Sequence, residues 1–382
     1  MQVHFHTAMK RTDLSRGWRV MGLMGMAALT VTSLSLVSIG GANAASPMRS
    51  QFRSGGFPVL SKSQIKIAIV AGGPNVYFSP WAQATAAAAK ALGVTVTDVV
   101  APTPTFEPAV EASTIDSLVA KGYNAFGIFP DGEASIIPVY NRLIARGIPV
   151  IDLAGCTTSP TPALFCMATN VKASADYETT ILIKAMGGKG NIAFLTGLLT
   201  DPNTIQREDG VKEAVAASNG AVKLVQVVSN IDSPSAAPPA VESLLASKGN
   251  ELQGMLSTDY YPSVAAASVL TANPMFRHIV FIGQDNDAAV MSAIAKKAIY
   301  GTMYQNSYGQ AYVGATFLEK ILANGCKVQG KGFISALGAD KFINSGYFFV
   351  GQSDVSQYTG LESIPSVTNS LVKNYSQYLS CP

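Results

Sequence analysis

The stretch IKIAIVA, residues 65–71, begins the part of the chain whose pattern decides the fold. It is almost entirely apolar and rich in β-branched residues, which is typical of a strand buried on both faces of a sheet. The alanine-rich stretch Ser79–Leu92 then predicts a helix, and the run Val94–Val100 predicts the next strand. Such alternation of strands and helices predicts a parallel sheet with helices on both faces.

The same alternation continues in two series of similar size. In the first series, the further predicted elements are helices 106–121 and 134–146 and strands 125–129 and 149–153. In the second series, they are helices 171–186, 204–218, 238–248, 262–270, 288–297 and 308–324 and strands 191–196, 222–228, 255–257, 279–283 and 301–305. Two βα series predict an α/β protein with two Rossmann-like lobes.

The first 44 residues have the pattern of an export signal. Basic residues between Lys10 and Arg19 precede the apolar run 20–39, and Ala42 to Ala44 offer the small-residue motif that signal peptidase cuts. An uncleaved membrane anchor is the alternative, since an apolar run of this length could just span a bilayer. We expect cleavage and a periplasmic mature chain.

The composition argues against several classes of function. Two of the three histidines lie in the predicted leader, so the mature chain has only His278. A single histidine argues against Ser-His-Asp triads, Cys-His catalysis and histidine-rich metal sites. The formal net charge is +3, and the mature chain has no run of basic residues, so nucleic acid is not an expected partner. AGGPN at residues 71–75 lacks the G-x-G-x-x-G pattern of a dinucleotide loop. No metal or cofactor is expected, whereas carboxylate chemistry stays open.

Four cysteines lie in the part predicted to be exported, which favours two disulfides in an oxidising compartment. Cys156 and Cys166 bracket a short Pro/Thr-rich loop and are expected to pair, which stabilises by about 2–3 kcal/mol in the chain-entropy model. Cys326 would then pair with Cys381 and tie the C-terminal tail to the body. Free buried thiols are the alternative.

Polar and aromatic residues follow the predicted strands. In parallel sheets, ligands bind outside the carboxyl ends of the strands, so these positions are the candidates for a site. They include the loop after strand 65–71 and the stretches 197–207, 258–261, 284–287 and 305–308. Amide, carboxylate and aromatic side chains in such places suit a small polar ligand that is held by hydrogen bonds and ring stacking.

The segment GTMYQNSYGQAYVGATFLEKIL, residues 301–322, resembles the last crossover strand and helix of periplasmic sugar-binding proteins. Further support comes from IPVID at 148–152, REDGVKEAV at 207–215 and IGQD at 282–285. The chain from Ile65 to Lys331 is therefore similar to the ribose/galactose-binding, lactose-repressor-like class, the type I periplasmic binding proteins. This resemblance implies two lobes with parallel sheets, joined by crossover strands.

The resemblance also implies domains and site residues. The implied domains are a signal peptide, 1–44, an N-terminal lobe, 62–168 plus 306–330, and a C-terminal lobe, 169–305 plus 331–382. The implied ligand-binding residues are Asn75, Tyr77, Phe78, Asp152, Asn170, Arg207, Asp285 and Gln305. For Asp285 the alternative is a turn or helix-capping role. For Arg207 it is a surface ion pair with Glu208 or Asp209.

Three positions depart from the family pattern. Leu153 follows Asp152 where the family often has an Asp-Arg pair, Phe129 replaces a polar residue, and Thr258 replaces an asparagine. Fewer polar anchors and more aromatic surface make a deoxygenated or partly apolar analogue of a sugar or polyol a further candidate ligand.

The resemblance implies a monomeric solute-binding protein that delivers a sugar, a polyol or such an analogue to an ABC permease. Presentation of the ligand to a sensor kinase or chemoreceptor is one alternative. A carboxylate-based glycosidase that uses Asp152 and Asp285 is the other, and it would need the two acids on either side of one bond.

Overall fold

The structure is a computed structural model that describes residues 56–100, 106–358 and 364–382. The predicted signal peptide lies outside these residues. In the described part of the chain, no helix is long and apolar enough to cross a membrane.

The first series of elements runs from residue 66 to residue 168. Its elements are β1 (Lys66–Ala71), α1 (Ser79–Leu92), β2 (Thr95–Val100), α2 (Pro108–Ala120), β3 (Ala125–Ile128), α3 (Glu133–Ala145), β4 (Val150–Leu153) and β5 (Cys166–Ala168). Helix α1 is built of alanine-rich sequence with a proline in its first turn, and it ends at Gly93, whose φ of 68° is the left-handed conformation that glycine adopts without strain.

The second series is longer and ends in a helix that returns to the first. Its elements are α4 (Val171–Ala185), β6 (Gly190–Leu195), α5 (Pro202–Ala217), β7 (Val222–Val228), α6 (Ala237–Lys248), β8 (Gly254–Ser257), α7 (Tyr260–Ala272), β9 (Val280–Gln284), α8 (Ala288–Ala295), β10 (Gly301–Gln305) and α9 (Ser307–Asn324). Helix α9 packs beside α1, and the Trp81 indole N–H donates to the carbonyl of Ser307 at 3.1 Å.

The C-terminal part consists mainly of short elements. They are β11 (Lys327–Val328), β12 (Ile334–Ala336), β13 (Ala339–Asn344), β14 (Tyr347–Gly351), α10 (Val355–Tyr358), α11 (Pro365–Lys373) and β15 (Leu379–Ser380). Short 3-10 turns occupy Lys62–Gln64, Val76–Phe78, Gly249–Glu251, Pro274–Phe276 and Tyr375–Gln377.

Two large sheets organise the described residues, and β11 and β15 form a small third sheet. The seven-stranded sheet has the order β12-β13-β5-β4-β3-β1-β2, and the six-stranded sheet has the order β14-β10-β9-β8-β6-β7. In the two large sheets, all neighbouring strands pair in parallel except β12 with β13 and β14 with β10, at one edge of each sheet. The predicted fold, two α/β lobes with parallel-dominant sheets, is confirmed.

The chain passes between the sheets at three points: after β5, after β10 and after β13. The prediction places all of 331–382 in the second lobe, and the structure differs there. Strands β12 and β13 extend the first sheet, and only β14 joins the second. Leu371 and Leu379 pack into the same core as Trp81, so the end of the chain also lies on the first lobe.

The two predicted disulfides are present. Cys156 bonds to Cys166 across the loop before β5, and Cys326 bonds to Cys381 beside the β11–β15 pair. The second bond therefore fixes the end of the chain to the turn that follows α9.

Candidate functional site

A cleft between the two sheets collects side chains that follow the carboxyl ends of their strands. The first lobe contributes loops after β1, β2, β3 and β4, with Asn75, Tyr77, Phe78, Phe106, Phe129 and Ala154. The second lobe contributes the residues after β6 to β9 and the end of β10, namely Asp201, Asn203, Arg207, Asp232, Asp259, Tyr260, Asp285 and Gln305. The cleft is therefore the place where parallel α/β sheets bind ligands.

Six of the eight predicted ligand-binding residues line this cleft. They are Asn75, Tyr77, Phe78, Arg207, Asp285 and Gln305. Because these six residues line one cavity, they remain candidates for ligand binding. Asp152 and Asn170 are not among the lining residues, and both have other structural roles.

Asp285 is held in place at the end of β9 by two amides. Its Oδ1 accepts hydrogen bonds from Gln305 Nε2 at 3.1 Å and from Gln284 Nε2 at 3.3 Å. Its φ of 62° is left-handed, a conformation that aspartate tolerates better than most residues. Burial raises the pKa of the Asp285 carboxyl to about 6, although these amide hydrogen bonds and Arg207 oppose the shift. The helix-capping alternative belongs to Asp287 instead, which accepts from the Ala289 N–H at 2.7 Å.

Among the described residues, Arg207 is the one cationic side chain that lines the cleft, and it is 8% exposed. Its Nη1 lies 3.9 Å from Asp259 Oδ2, and the charges of Asp201 and Asp285 also act on it. The alternative, a surface ion pair with Glu208 or Asp209, is wrong, because Arg207 is buried beside Asp259 and Glu208 pairs with Lys212 at 2.7 Å. The positive charge of Arg207 instead partly compensates the negative charge of the carboxylates that line the cleft.

The carboxylates of the cleft outnumber its cation. Asp201, Asp232, Asp259 and Asp285 all line it beside Arg207. Burial raises the pKa of Asp201 to about 6 and that of Asp232 to about 8, while Arg207 lowers both. Within the described residues, Asp232 Oδ1 has no hydrogen-bond partner although it is inaccessible to solvent. The cleft is thus rich in hydrogen-bond acceptors that a hydroxylated molecule can satisfy.

Aromatic rings form the wall of the cleft on the first lobe. The Phe78 ring stands edge-on to Tyr77 and Phe129, with centroids 5.3 and 5.2 Å apart, and Phe106 lies 4.9 Å from Phe129. The Tyr77 hydroxyl donates to Gln310 Oε1 at 3.0 Å, which fixes its ring against α9. Such a wall can pack on the apolar face of a ring or carbon chain.

Several cleft residues were not singled out from the sequence as ligand-binding. They are Phe106, Phe129, Ala154, Asp201, Asn203, Asp232, Asp259 and Tyr260. Of these, Asp201, Asn203, Asp259 and Tyr260 lie in the candidate stretches 197–207 and 258–261, although they are not among the eight predicted ligand-binding residues. Asp201 and Asp259 accept from backbone N–H groups at the starts of α5 and α7. An aspartate between a buried strand and a helix is therefore the signal that could have found them. Asp259 also comes so close to Gly197 that a β-carbon there would collide with its carboxylate, so this approach requires glycine.

Asp152 anchors the turn after β4 and does not reach the cleft. Its Oδ1 accepts from the Tyr140 hydroxyl at 2.7 Å, and its Oδ2 accepts from Thr157 N at 2.8 Å and Thr157 Oγ1 at 2.7 Å. The prediction that Asp152 faces the ligand with Asp285 is not met by this geometry, because Tyr140 and Thr157 turn the carboxylate toward α3 and the disulfide loop. The two acids postulated for a glycosidase do not share a cavity.

Asn170 lies at the first passage between the lobes, where it caps α4. Its Oδ1 accepts from Ala173 N at 3.1 Å, and its own N–H donates to Asn344 Oδ1 at 3.2 Å. Asn344 ends β13, just before the third passage. Asn170 therefore links two crossovers instead of lining the cleft.

In the part of the chain that the structure describes, two hydrogen bonds cross the cleft directly. Asn75 Nδ2 donates to Asp232 Oδ2 at 3.4 Å, and Asn203 Nδ2 donates to the carbonyl of Ala154 at 3.3 Å. In each pair one residue follows a strand of the first sheet and the other follows a strand of the second. The two lobes therefore contact each other through residues of the candidate site.

Comparison with known sequences identifies relatives of this chain. A sequence profile of the periplasmic binding protein domain matches residues 67–326. The chain is 23% identical over 212 residues to a xylitol-binding protein of Mycolicibacterium smegmatis, a match that covers 56% of this chain and 60% of that protein. It is also 30% identical over 137 residues to a tRNA dimethylallyltransferase of a Mycobacterium species, strain KMS, covering 34% of this chain and 44% of that protein. In both cases the chain spans less than two thirds of the relative's length.

Comparison with solved structures identifies the same fold. An ABC transporter solute-binding protein from Burkholderia graminis C4D1M, solved in complex with D-arabinose, superposes with a TM-score of 0.68 at 20% sequence identity. The superposition covers 79% of this chain and 100% of that protein.

Proposed function

The chain belongs to the periplasmic binding protein family, and from that premise we propose that it captures a sugar, a polyol or a similar small molecule between its lobes. The cargo then passes to an ABC permease in the inner membrane. The chain works as a monomer in the periplasm, where the leader-like residues 1–44 direct it. The observation that carries this proposal is the cleft itself, with its excess of carboxylates around one arginine.

The donors and acceptors of the cleft suit hydroxyl groups. Each hydroxyl can donate one hydrogen bond and accept others, so neighbouring hydroxyls can donate to a carboxylate and accept from a guanidinium. Asp232 Oδ1, which lacks a partner among the described residues, can pair with such a hydroxyl, because it accepts when the carboxyl is ionised and donates when it carries a proton. The xylitol and D-arabinose in the names of the relatives belong to the same chemical class.

The aromatic wall suits the remaining surface of such a ligand. The carbon-bound hydrogens of a sugar or polyol form an apolar face that packs on rings. Phe78 and Phe129 are both buried in the first lobe and line the cleft. On this proposal Phe129, which stands where the family pattern has a polar residue, packs against the apolar face of the ligand and favours partly apolar analogues.

A thermal-shift screen of the mature chain against sugars, polyols and their deoxy analogues tests the proposal. A ligand at a hundredfold excess over its Kd should raise the free energy of unfolding by about 2.7 kcal/mol, which appears as a higher melting temperature. The control is the same screen with Arg207→Ala, in which the shift should shrink or vanish. If no polyhydroxylated compound shifts the wild-type melting temperature, the proposal is wrong.

The same ligand serves to test for turnover. A binding protein releases its ligand unchanged, so incubation of an aryl glycoside or of the ligand with the chain should leave it intact. Release of product that depends on Asp285 would contradict the proposal and favour an enzyme.

A further inference from the structure

A second cavity adjoins the cleft along a common wall. The two cavities share Tyr77, Tyr260, Asp285 and Gln305. The additional wall of the second cavity, called here the outer cavity, comes mainly from the start of α1, the loop after β9 and the start of α9. Ser79, Pro80, Asn286, Asp287 and Ser307 contribute to it. The candidate site is therefore one of two adjoining spaces.

The two spaces differ in size. The cleft has a volume of about 40 Å³ and the outer cavity one of about 220 Å³, and both are open to the surface. A cavity of about 150 Å³ holds benzene, and each water molecule needs roughly 10–15 Å³. With its lobes in contact, the cleft has room for a short polar group, and the outer cavity has room for the larger part of a molecule.

The four shared residues include groups that can hold a ligand that occupies both spaces. The Tyr260 hydroxyl donates to Asp287 Oδ2 at 2.6 Å, which fixes the tyrosine ring at the boundary. Gln305 Nε2 holds the Asp285 carboxylate at the same boundary. Tyr77 stands opposite on the first lobe and is fixed by Gln310. The boundary thus has two rings and a carboxylate in fixed positions.

We propose that the ligand spans both cavities, with a short hydroxylated end in the cleft near Arg207 and its longer part in the outer cavity beside Tyr260 and Asp287. This inference rests on the proposed function and narrows it. The ligand class is an elongated polyhydroxylated molecule, such as an acyclic polyol or a glycoside, and not a single compact sugar ring.

Matched pairs of probes test the length of the ligand. Xylitol and D-xylose form one pair, D-arabinitol and D-arabinose a second, and xylobiose and D-xylose a third. We expect the elongated member of at least one pair to bind at least tenfold more tightly than the compact ring, as measured by calorimetry. Comparison of the two polyol pairs with the xylobiose pair shows whether the chain prefers an acyclic or a two-ring molecule. A compact ring that binds as tightly as its elongated partners overturns the inference and leaves the proposed function standing.

A variant that fills the outer cavity tests its location. Ser79 is exposed and lines the outer cavity but not the cleft, so Ser79→Trp should leave the melting temperature of the free chain unchanged. It should weaken the elongated probe at least tenfold and the compact ring less than threefold. Gln83→Trp is the matched control, because Gln83 is exposed on the same helix and lines neither cavity.

The other outcomes of the Ser79→Trp binding experiment overturn the inference. Unchanged binding of the elongated probe to Ser79→Trp overturns the inference. Equal weakening of both probes also overturns it, because the outer cavity then serves only as an entrance. If no probe of either length binds the wild-type chain, the proposed function fails as well.

Discussion

At the scale of single residues, the candidate site depends on the electrostatic interactions between one arginine and several buried carboxylates. Arg207 is buried beside Asp259 and close to Asp201 and Asp285. An ionised carboxylate is unfavourable in a buried position unless a cation or hydrogen bonds compensate for the lost water. Arg207 therefore contributes to folding, in addition to the ligand-binding role that we propose for it.

Removal of Arg207 should destabilise the chain in a pH-dependent way. Arg207→Ala leaves buried carboxylates without their cation, which lowers the free energy of unfolding by about 3 kcal/mol near neutral pH. The loss should be smaller at pH 5, because the carboxyls with raised pKa values then take up protons. Urea unfolding at pH 5 and pH 8 measures the difference. Lys212→Ala, which removes an exposed pair on the same helix, should change stability by less than about 1 kcal/mol at both pH values. An equal loss for Arg207→Ala at both pH values would contradict this reasoning.

Glu111 is a buried acid outside the cleft, and it gives the stability of the chain a separate pH dependence. Burial raises the pKa of Glu111 from 4.5 to about 9, and the nearby carboxylates of Asp131 and Asp152 add to the shift. Asp131 N donates to Glu111 Oε2 at 3.1 Å, while Glu111 Oε1 has no partner among the described residues. The folded chain therefore holds a proton that the unfolded chain releases above pH 4.5, so this group lowers stability progressively as pH rises toward 9.

Glu111→Gln should remove this pH dependence. Glutamine keeps an acceptor for the Asp131 N–H and carries no charge. At about 1.4 kcal/mol per pKa unit, the variant should be more stable than the wild type by about 3 kcal/mol at pH 7 and by much less at pH 5. Chemical unfolding across this pH range measures the effect. Glu242→Gln, at an exposed position on α6, serves as the control and should follow the wild type. A Glu111→Gln curve parallel to that of the wild type would refute the assignment.

At the scale of elements, local sequence predicts the parallel core well. Helix Ser79–Leu92 and strands Val222–Val228 and Gly301–Gln305 have the predicted bounds, because buried apolar runs and alanine-rich stretches are strong local signals. The C-terminal strands were not predicted. Strand β12 has only three residues, and β13 pairs with β5, more than 150 residues earlier in the chain. Such short strands depend on distant partners, and local patterns do not specify those partners.

The two disulfides should differ in their effect on stability. The Cys326–Cys381 bond closes a segment of 55 residues and the Cys156–Cys166 bond one of 10. In the chain-entropy model, loss of the longer link costs about 4 kcal/mol and loss of the shorter one about 2–3 kcal/mol. Urea unfolding of the two double Cys→Ser variants compares them. A greater loss from the Cys156/Cys166 pair would show that local geometry, and not chain entropy, dominates.

At the scale of the whole molecule, the arrangement of strands predicts where the site lies but not every side chain in it. Six predicted residues meet in the cleft because each follows a strand end. Asp152 follows the same rule in sequence, yet its carboxylate turns toward Tyr140 and Thr157. Strand order alone cannot show this, because the orientation of the carboxylate depends on hydrogen bonds with residues elsewhere in the chain.

Contact between the lobes is the other feature that appears only in the whole molecule. The bonds Asn75–Asp232 and Asn203–Ala154 join loops that are 157 and 49 residues apart in sequence. They bring the carboxylates of the second lobe against the aromatic wall of the first. A ligand held there has contacts with both lobes, which is how hinged binding proteins couple ligand capture to closure.

Calorimetric titration of the Asp285→Asn variant tests the central claim most directly, with the ligand found by the thermal-shift screen. Asparagine tolerates the left-handed backbone of this position, so the variant should fold and differ from the wild type mainly in charge. Hydrogen bonds to charged groups contribute about 1.5–3 kcal/mol, so the Kd should rise roughly 10- to 100-fold. Asp209→Asn, at an exposed position on α5, should bind like the wild type. If folded Asp285→Asn binds with wild-type affinity, the cleft between the lobes is not the ligand site.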